Sequence, residues 1–240
     1  MTPSSSLDHR SPLSPDYSDK PALYYSESRP EMVRYIPATC RRVLDVGCSS
    51  GEFGALLKMD RGVEVWGVEP FAAAAALATT RLDHVVEAPF DSDIALPLAF
   101  FDCIVFNDVL EHLIDPSPAL NYSRTLLAPG GVIVASVPNI RHFPTIWRLA
   151  MHGEWEYREW GTLDRTHLRF YTRSSLKRLF ESHGYDVNTL DGINPYRGVP
   201  NTSERVWRLY KIVDALSARR FADMKFQQFA VVATSSNAAK

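Results

Sequence analysis

The amino-acid sequence predicts an α/β fold: a doubly wound, mostly parallel sheet of seven strands with an inserted cap on the substrate side. Short apolar runs alternate with helix-forming stretches, which is the pattern of strands joined by crossover helices. The first apolar run ends in an acid and a turn of small residues, and the second also ends in an acid. With 240 residues, 45% of them hydrophobic, the chain can bury the core of one such domain.

The first half of the chain alternates regularly between strands and helices. A short helix over residues 30–35 is predicted to begin at Pro30, because proline suits the first helical position. The alanine run of residues 72–78 is a strong helix former. The other elements predicted here are a helix at 51–58 and strands at 43–46, 63–68, 85–86 and 101–106.

The second half keeps this alternation up to Asn139 and then loses it. Residues 140–172 and about 192–222 are predicted to be insertions that cap the substrate side of the sheet. Residues 1–20 are rich in Ser, Pro and Asp, which predicts a disordered arm before a single domain over 21–240. The other elements predicted here are helices at 116–127, 174–183 and 206–216 and strands at 132–137, 185–190 and 226–234.

Composition excludes several classes of function. A net charge of -2 gives no global basic field, so broad binding to nucleic acid is not expected. The three cysteines lack metal-ligand spacing and are expected to be reduced thiols. No apolar stretch approaches the ~18 residues of a membrane helix, and the first residues lack the apolar centre of a secretory signal. We therefore expect a cytoplasmic protein with neither a nucleic-acid nor a membrane partner.

The turn after the first strand lacks the fingerprint of a dinucleotide site. A G-x-G-x-x-G fingerprint that starts at Gly47 would need glycine at 49 and 52, where the chain has Ser49 and Glu52. The pattern present is Asp45-x-Gly47-x-Ser49-x-Gly51. Backbone N–H groups of such a loop can receive a carboxylate while the nearby acid receives an ammonium. The loop therefore suits a compact zwitterion better than a pyrophosphate.

The second strand ends in Val68-Glu69-Pro70, which adds a second part of the site. A carboxylate at this position can accept hydrogen bonds from both hydroxyls of a ribose. An amino-acid site next to a ribose site describes S-adenosylmethionine.

The sequence resembles the class I S-adenosylmethionine-dependent methyltransferases. It is most similar to their small-molecule branch, which includes ubiquinone-type O-methyltransferases and enzymes of glycan or natural-product pathways. The resemblance covers roughly residues 24–190, and its cofactor would be S-adenosylmethionine, with S-adenosylhomocysteine as product. Five motifs carry it, in this order: RVLDVGCSSGEFG, VWGVEP, FDCIVFNDVLEHLIDP, LLAPGGVIVASVPN and LDRTHLRFYT.

The resemblance implies a role for each matching position. The methionine end of the cofactor would lie against the first loop and the end of the fourth strand, and the ribose against the end of the second. His112 would lie where the next helix opens under the site, or would only pack there. The family often has Gly-Asp after the third strand, where this chain has Pro89, so Phe90 or Asp91 is the expected adenine contact. The implied cofactor residues are Asp45, Gly47, Cys48, Ser49, Gly51, Glu69, Pro70, Phe90, Asp91, Asn107, Asp108 and His112.

Methyl transfer needs the nucleophile, methyl and sulfur held in line, and a general base helps when the acceptor is a hydroxyl. His167 is the first candidate base. If its segment is helical, Asp164 lies on the same face and could orient the imidazole. His142, just past the fifth strand, is an expected contact of the acceptor. Both histidines have a purely structural alternative, and no metal site is predicted.

Residues 140–172 are expected to bind the acceptor. Between 141 and 180 there are eight Lys or Arg and four Asp or Glu, which suits an anionic acceptor or only a solvated face. Aromatic side chains suit a planar acceptor or a sugar face, or form a small core of their own. They are Trp147, Trp155, Tyr157, Trp160, Phe170 and Tyr171.

The favoured acceptor is a hydroxyl oxygen of a sugar or secondary metabolite. The alternatives are N- or C-methylation of a heterocycle, a nucleic-acid methyltransferase, an NAD-dependent oxidoreductase and a cofactor-binding protein without catalysis. The apolar helix over residues 207–216 is one candidate contact for a homodimer.

Overall fold

The computed structural model describes residues 28–195 and 204–236, with side chains from 207 onward in the second range. Seven strands form one sheet in the order β3-β2-β1-β4-β5-β7-β6. The strands are β1 Arg42–Val46, β2 Glu64–Val68, β3 His84–Val86, β4 Phe101–Asn107, β5 Leu127–Pro138, β6 Tyr185–Pro195 and β7 Phe226–Ser235. The helices are α1 Glu52–Arg61, α2 Ala72–Ala78, α3 Ser117–Leu126, α4 Phe143–His152, α5 Arg173–Ser182 and α6 Glu204–Leu216. The predicted fold class is confirmed.

The first five strands run parallel, whereas β7 is antiparallel to both of its neighbours, β5 and β6. Because β2 and β3 lie on one side of β1 and β4 and β5 on the other, the strand order reverses between β1 and β4. Ligands of open α/β sheets bind at this switch point, outside the carboxyl ends of the strands.

The apolar strands are buried because helices cover both faces of the sheet. One face packs Leu44 and Phe106 against Leu120 and Phe180 of α3 and α5. The other packs Val105 against Leu57 of α1, together with the short 3-10 helix Pro30–Tyr35. This double cover fixes the central strands, so the loops at their carboxyl ends have a rigid support.

The cap differs from its prediction in two places. Residues 143–152 form α4, which ends at Gly153 in a left-handed conformation (φ 66°), a common helix stop that the aromatic and basic composition obscured. Strand β6 continues to Pro195, which pairs with Phe226, so this strand is longer than the predicted 185–190. The predicted arm over 1–20 lies outside the described residues. Among those described, no helix is long and apolar enough to span a bilayer.

Candidate active site

Three residues of the loop after β1 have a left-handed backbone conformation. Gly47, Ser49 and Gly51 have φ of 67°, 51° and 82°. A Cβ on Gly47 would lie 2.7 Å from Cγ2 of Val109, so glycine is required there by space as well as by conformation. Ser49 is the strained member, since a side chain at this φ costs of order 1 kcal/mol or more. The loop keeps its backbone open toward the switch point.

Glu69 joins this loop to the end of β2. Its Oε2 accepts from the Ser49 N–H at 2.8 Å and its Oε1 from the Phe71 N–H at 3.0 Å. Burial raises the pKa of Glu69. Each carboxylate oxygen keeps a lone pair, so the pair of oxygens can accept from the two hydroxyls of a ribose. Pro70, which follows it, is exposed.

Asp45 lies under the loop and is 2% exposed. Burial, and then the nearby Glu69, raise the pKa of Asp45 to about 8. Such a carboxylate is stabilised in its charged form by a cation, which the ammonium of a methionine moiety would provide. Cys48 takes no such part with its side chain, because its Sγ packs against Gly67 in the core beneath the loop. The predicted contact of Cys48 with the cofactor stays a prediction.

Asn107 ends β4, and its side chain is prepared for a ligand. Its Oδ1 and Nδ2 are buried and have no hydrogen-bond partner among the residues that the structure describes. Buried polar atoms are almost always paired, so this amide indicates a missing ligand group. The observation fits its predicted place beside the methionine end of the cofactor.

The Asp108 side chain already has several partners within the protein. Its carboxylate forms an ion pair with Arg29 and accepts from Ser136 Oγ at 3.1 Å and Gln228 Nε2 at 3.0 Å. The φ of Asp108 is 54°, so the backbone turns sharply here and the Val109 side chain packs against Gly47. Its predicted contact with the cofactor stays a prediction, while the structure gives it a role in shaping the end of β4.

The predicted adenine contacts lie beside β4. The Phe90 ring packs on Phe106 and Tyr122, with centroids 5.7 and 5.4 Å apart. Asp91 Oδ1 accepts from the Asp93 N–H at 2.9 Å and so caps its own turn. Phe90 presents an aromatic wall, and both contacts with adenine stay predictions.

Two histidines and one acid come together next to β4. The rings of His112 and His167 have centroids 4.8 Å apart. The Nδ1 of His112 lies 3.1 Å from the Thr166 carbonyl oxygen, and that of His167 lies 3.2 Å from the Thr162 carbonyl oxygen. One ligand-type atom from each of Glu111, His112 and His167 lies within 4.8 Å of the others, close enough to hold a proton or a cation in common.

The segment that carries His167 is a turn and not the helix that the Asp164–His167 spacing assumed. The His167 N–H donates to the Asp164 carbonyl at 3.0 Å. The Asp164 carboxylate accepts from the Thr166 N–H at 2.9 Å and the Thr166 hydroxyl at 2.7 Å. The helical basis for Asp164 as the orienting acid is therefore wrong, whereas Oε1 of Glu111 lies 4.0 Å from Nε2 of His167.

His142 stands at the start of α4 and is 6% exposed. Burial lowers the pKa of His142 to about 4. The ring is therefore neutral at physiological pH and a weak base, which favours its expected contact with the acceptor over proton removal.

The six aromatic residues predicted for the acceptor pocket divide into separate groups. Trp160 is 73% exposed, and Trp155 packs on Phe170 with ring centroids 5.5 Å apart. Trp147 belongs instead to a cluster between α4 and α6, where an apolar cavity of about 190 Å³ is found. Its lining residues are Phe143, Trp147, Leu209, Tyr210, Val213, Phe221 and Met224. Contact of any of these rings with the acceptor stays a prediction.

Comparison with known proteins decides the family. Residues 14–190 match the model of a family described as a methyltransferase domain. The chain belongs to this methyltransferase family. It is 28% identical over 206 residues to a ubiquinone biosynthesis O-methyltransferase of Chromobacterium violaceum, covering 79% of this chain and 82% of that protein.

Solved structures share the fold of this methyltransferase. An S-adenosylmethionine-dependent methyltransferase from Archaeoglobus fulgidus superposes with a TM-score of 0.62 at 24% identity, over 85% of this chain and 90% of that one. A phosphoethanolamine N-methyltransferase of Haemonchus contortus, in complex with S-adenosylmethionine, superposes with a TM-score of 0.54 at 14% identity. The match covers 90% of this chain and 52% of that one.

The residues present fit S-adenosylmethionine as the cofactor of this methyltransferase. Four features lie at the carboxyl ends of neighbouring strands: the open Gly47 loop, the buried Asp45, the buried Asn107 amide and the Glu69 carboxylate. Together they offer hydrogen-bond donors and acceptors for an amino acid and a ribose. The enzyme is an S-adenosylmethionine-dependent methyltransferase, as predicted.

Proposed function

We propose that this methyltransferase methylates a hydroxyl oxygen of a small molecule, a sugar or a secondary metabolite. The observation that carries the proposal is the anchoring of His167. Its Nδ1 lies 3.2 Å from a carbonyl oxygen, which only accepts, so this nitrogen carries the proton and Nε2 holds the lone pair. In its neutral form this ring has its basic nitrogen at Nε2, and a histidine of this kind is the base that a hydroxyl acceptor needs. The name of the Chromobacterium violaceum relative, an O-methyltransferase, also supports oxygen as the acceptor.

The cofactor side of the reaction depends on charge and hydrogen bonding. S-adenosylmethionine, when bound, supplies an electrophilic methyl on a positively charged sulfur. Asp45 would hold its ammonium, Glu69 its ribose hydroxyls, and the Asn107 amide the remaining polar groups of the methionine end. These contacts fix the direction of the methyl, which is the main contribution of an enzyme to an in-line displacement.

On the acceptor side, His167 Nε2 would take the hydroxyl proton as the oxygen attacks the methyl. The Thr162 carbonyl stabilises the protonated ring by accepting from Nδ1, so the ring does not need to turn during the reaction. His142 would contact the acceptor as a neutral hydrogen-bonding group.

The acceptor is proposed to have an apolar part. The cavity between α4 and α6 begins at Phe143, directly after His142, and about 190 Å³ suits a ring or short chain rather than a whole ligand. An anionic acceptor has less support, because several cations of the cap are already engaged. Arg141 pairs with Asp223, Arg165 with Glu159, and Arg169 donates to the Ile114 carbonyl.

We also propose a homodimer contact through α6. Leu209, Ile212 and Leu216 are 48%, 56% and 83% exposed and lie on one face at helical spacing. Two antiparallel copies that place Leu209 against Leu216 would also place Lys211 opposite Asp214. Light scattering tests this: the native chain should have the mass of a dimer and Ile212→Glu that of a monomer, whereas a monomeric native chain contradicts the contact.

The proposed reaction is tested with a panel of phenols, sugars, nucleotide sugars and heterocyclic amines. We expect methyl transfer to a hydroxyl, and His167→Ala should lower kcat at least 100-fold while the Kd of S-adenosylhomocysteine stays unchanged. Transfer to an amine or a carbon, or full turnover by His167→Ala, would contradict the proposal. The variant His183→Ala is the matched control, since His183 lies at the end of α5.

A further inference from the structure

Arg81 lies in the turn after α2, and its side chain holds the loop after β1. Its Nη1 donates to the Ser50 carbonyl oxygen at 2.7 Å, and its Nη2 lies 3.1 Å from Oε1 of Glu52. The side chains of this ion pair are 33% and 34% exposed. One guanidinium therefore binds the residues on both sides of Gly51.

The position of this cation is not explained by the helix that it adjoins. Gly51 is the N-cap of α1 and Glu52 is its first residue, so the Arg81 guanidinium lies next to the N-terminus of the helix. The helix dipole disfavours a cation at this end and favours an acid such as Glu52. The contact of Arg81 with the loop therefore has a reason other than the stability of α1.

The peptide group between Ser50 and Gly51 is the part of the loop that Arg81 fixes. Its carbonyl accepts from Arg81, and its N–H donates to the Cys48 carbonyl at 2.9 Å. Turning this peptide over would change ψ of Ser50 and φ of Gly51, which is 82°. Because glycine adopts both signs of φ at little cost, the backbone alone does not select one orientation. The two hydrogen bonds select it.

Two opposite charges hold successive residues of the loop. The Glu69 carboxylate accepts from the Ser49 N–H at 2.8 Å, and the Arg81 guanidinium donates to the Ser50 carbonyl at 2.7 Å. Ser49 has the strained φ of 51°, a conformation that persists only where the surroundings hold it. An acid at the end of β2 and a cation after α2 together hold this backbone.

The turn that carries Arg81 has a firm support of its own. The Arg81 N–H donates to the Ala78 carbonyl at 2.9 Å, and two residues later Oδ2 of Asp83 accepts from the Val65 N–H at 2.8 Å. A Cβ on Gly51 would lie 3.2 Å from Cα of Ala78, so the loop and the end of α2 are in close contact. Arg81 thus reaches the loop from a segment that β2 anchors.

We propose that Arg81 is a positioning residue of the cofactor site and fixes the Ser50–Gly51 peptide so that the loop receives the methionine end of S-adenosylmethionine. Without the guanidinium, the competent orientation of this peptide should be less populated, and the apparent affinity should fall by the same fraction. The inference concerns binding of the cofactor alone, so it does not depend on which atom of the acceptor is methylated.

Calorimetry with S-adenosylhomocysteine tests the effect on binding. Arg81→Gln should raise the Kd at least fivefold, because a charge-assisted hydrogen bond is lost. Arg81→Lys keeps a charged donor for the Ser50 carbonyl, so its Kd should lie within threefold of the native value. The matched control is Arg61→Gln, since Arg61 also donates to two main-chain carbonyl oxygens, at 2.6 and 2.8 Å, but in the segment before β1.

Three results of this titration would overturn the proposal. They are an unchanged Kd in Arg81→Gln, an equal rise in Arg61→Gln, and equal Kd values for Arg81→Lys and Arg81→Gln. Loss of the folded circular-dichroism spectrum in Arg81→Gln would show that the arginine supports the fold and would also contradict it.

Amide hydrogen exchange in the ligand-free chain tests the orientation of the peptide itself. The Gly51 N–H should exchange at least tenfold faster in Arg81→Gln than in the native protein. The Gly62 N–H, which donates to the Lys58 carbonyl at 2.9 Å at the other end of α1, should exchange at the native rate. An unchanged rate at Gly51, or an equal increase at both glycines, would overturn the proposal.

Discussion

The Arg29 guanidinium, which is buried, forms an ion pair with the Asp108 carboxylate, which is 26% exposed, at the carboxyl ends of the strands. Arg29 is 8% exposed and precedes the first 3-10 helix, whereas Asp108 follows β4 directly. Arg29 also donates to Ser136 Oγ and Gln228 Oε1, both at 3.2 Å. Four distant parts of the chain are thereby joined at the point where Asn107 and Val109 shape the cofactor site.

Breaking this pair should destabilise the enzyme strongly. Asp108→Asn leaves Glu31 as the remaining acid partner of the buried Arg29 guanidinium and should lower the free energy of unfolding by about 1.5–3 kcal/mol. The matched control is Asp60→Asn, which removes the acid partner of Arg61 at a position that is 55% exposed. Urea unfolding of both variants checks this, and equal losses for the two would contradict it.

Substitutions of Gly47 and Gly62 distinguish the effect of backbone strain from that of steric crowding. Both have positive φ, 67° and 62°, but a Cβ on Gly62 would meet nothing within 4 Å among the described residues. Gly62→Ala should cost about 1 kcal/mol of stability and leave cofactor binding unchanged. Gly47→Ala must also move Val109, so its Kd for S-adenosylhomocysteine, measured by calorimetry, should rise at least tenfold. An unchanged Kd in Gly47→Ala would show that the loop does not form the site.

Glu69→Gln should weaken binding of the cofactor, because the contact with the ribose hydroxyls is disturbed. The amide keeps one acceptor oxygen and offers a donor where the ribose hydroxyl donates, so the Kd for S-adenosylhomocysteine should rise by 10- to 100-fold. Glu64→Gln, an acid at the other end of the same strand, is the control and should bind normally. Equal affinities for the native chain and Glu69→Gln would contradict the ribose assignment.

The ligand-free enzyme should lose stability as the pH rises. The pKa values of Asp45 and Glu111 are each raised to about 8 in the folded state, above their ordinary unfolded values. Each acid therefore contributes a loss of up to ~1.4 kcal/mol per pH unit between about pH 4 and 8, which the lowered pKa of His142 offsets in part below about pH 6.5. Asp45→Asn should flatten the curve of unfolding free energy against pH, and a curve that rises with pH in the native chain would contradict the burial of these acids.

The cofactor half of the site could be predicted from the sequence because its requirements are local. Gly47, Gly51 and the acid Asp45 lie within one turn, and the alternation of strands and helices brings Glu69 and Asn107 to the same edge. Each of these positions depends on backbone conformation or strand order. Both can be predicted from the spacing of glycines and from the order of apolar and helix-forming segments in the sequence.

The acceptor half could not be predicted in the same way because its contacts join distant segments. The contact of Glu111 with His167 depends on how residues 140–172 fold back onto β4, and the ion pair of Arg29 depends on the entry of the chain before β1. One signal was present in the sequence: Glu111 stands among apolar residues in Val-Leu-Glu-His-Leu, where a solvated acid is not expected.

The central claim, transfer of a methyl to a hydroxyl oxygen, is tested most directly by the bond that the transferred carbon forms. The enzyme is supplied with S-adenosylmethionine that carries a ¹³C methyl and with the acceptor panel, and the product is examined by carbon NMR. We predict a new signal in the methoxy range that His167→Ala forms at least 100-fold more slowly. A signal in the N-methyl or C-methyl range, formed at the same rate by that variant, would contradict the account.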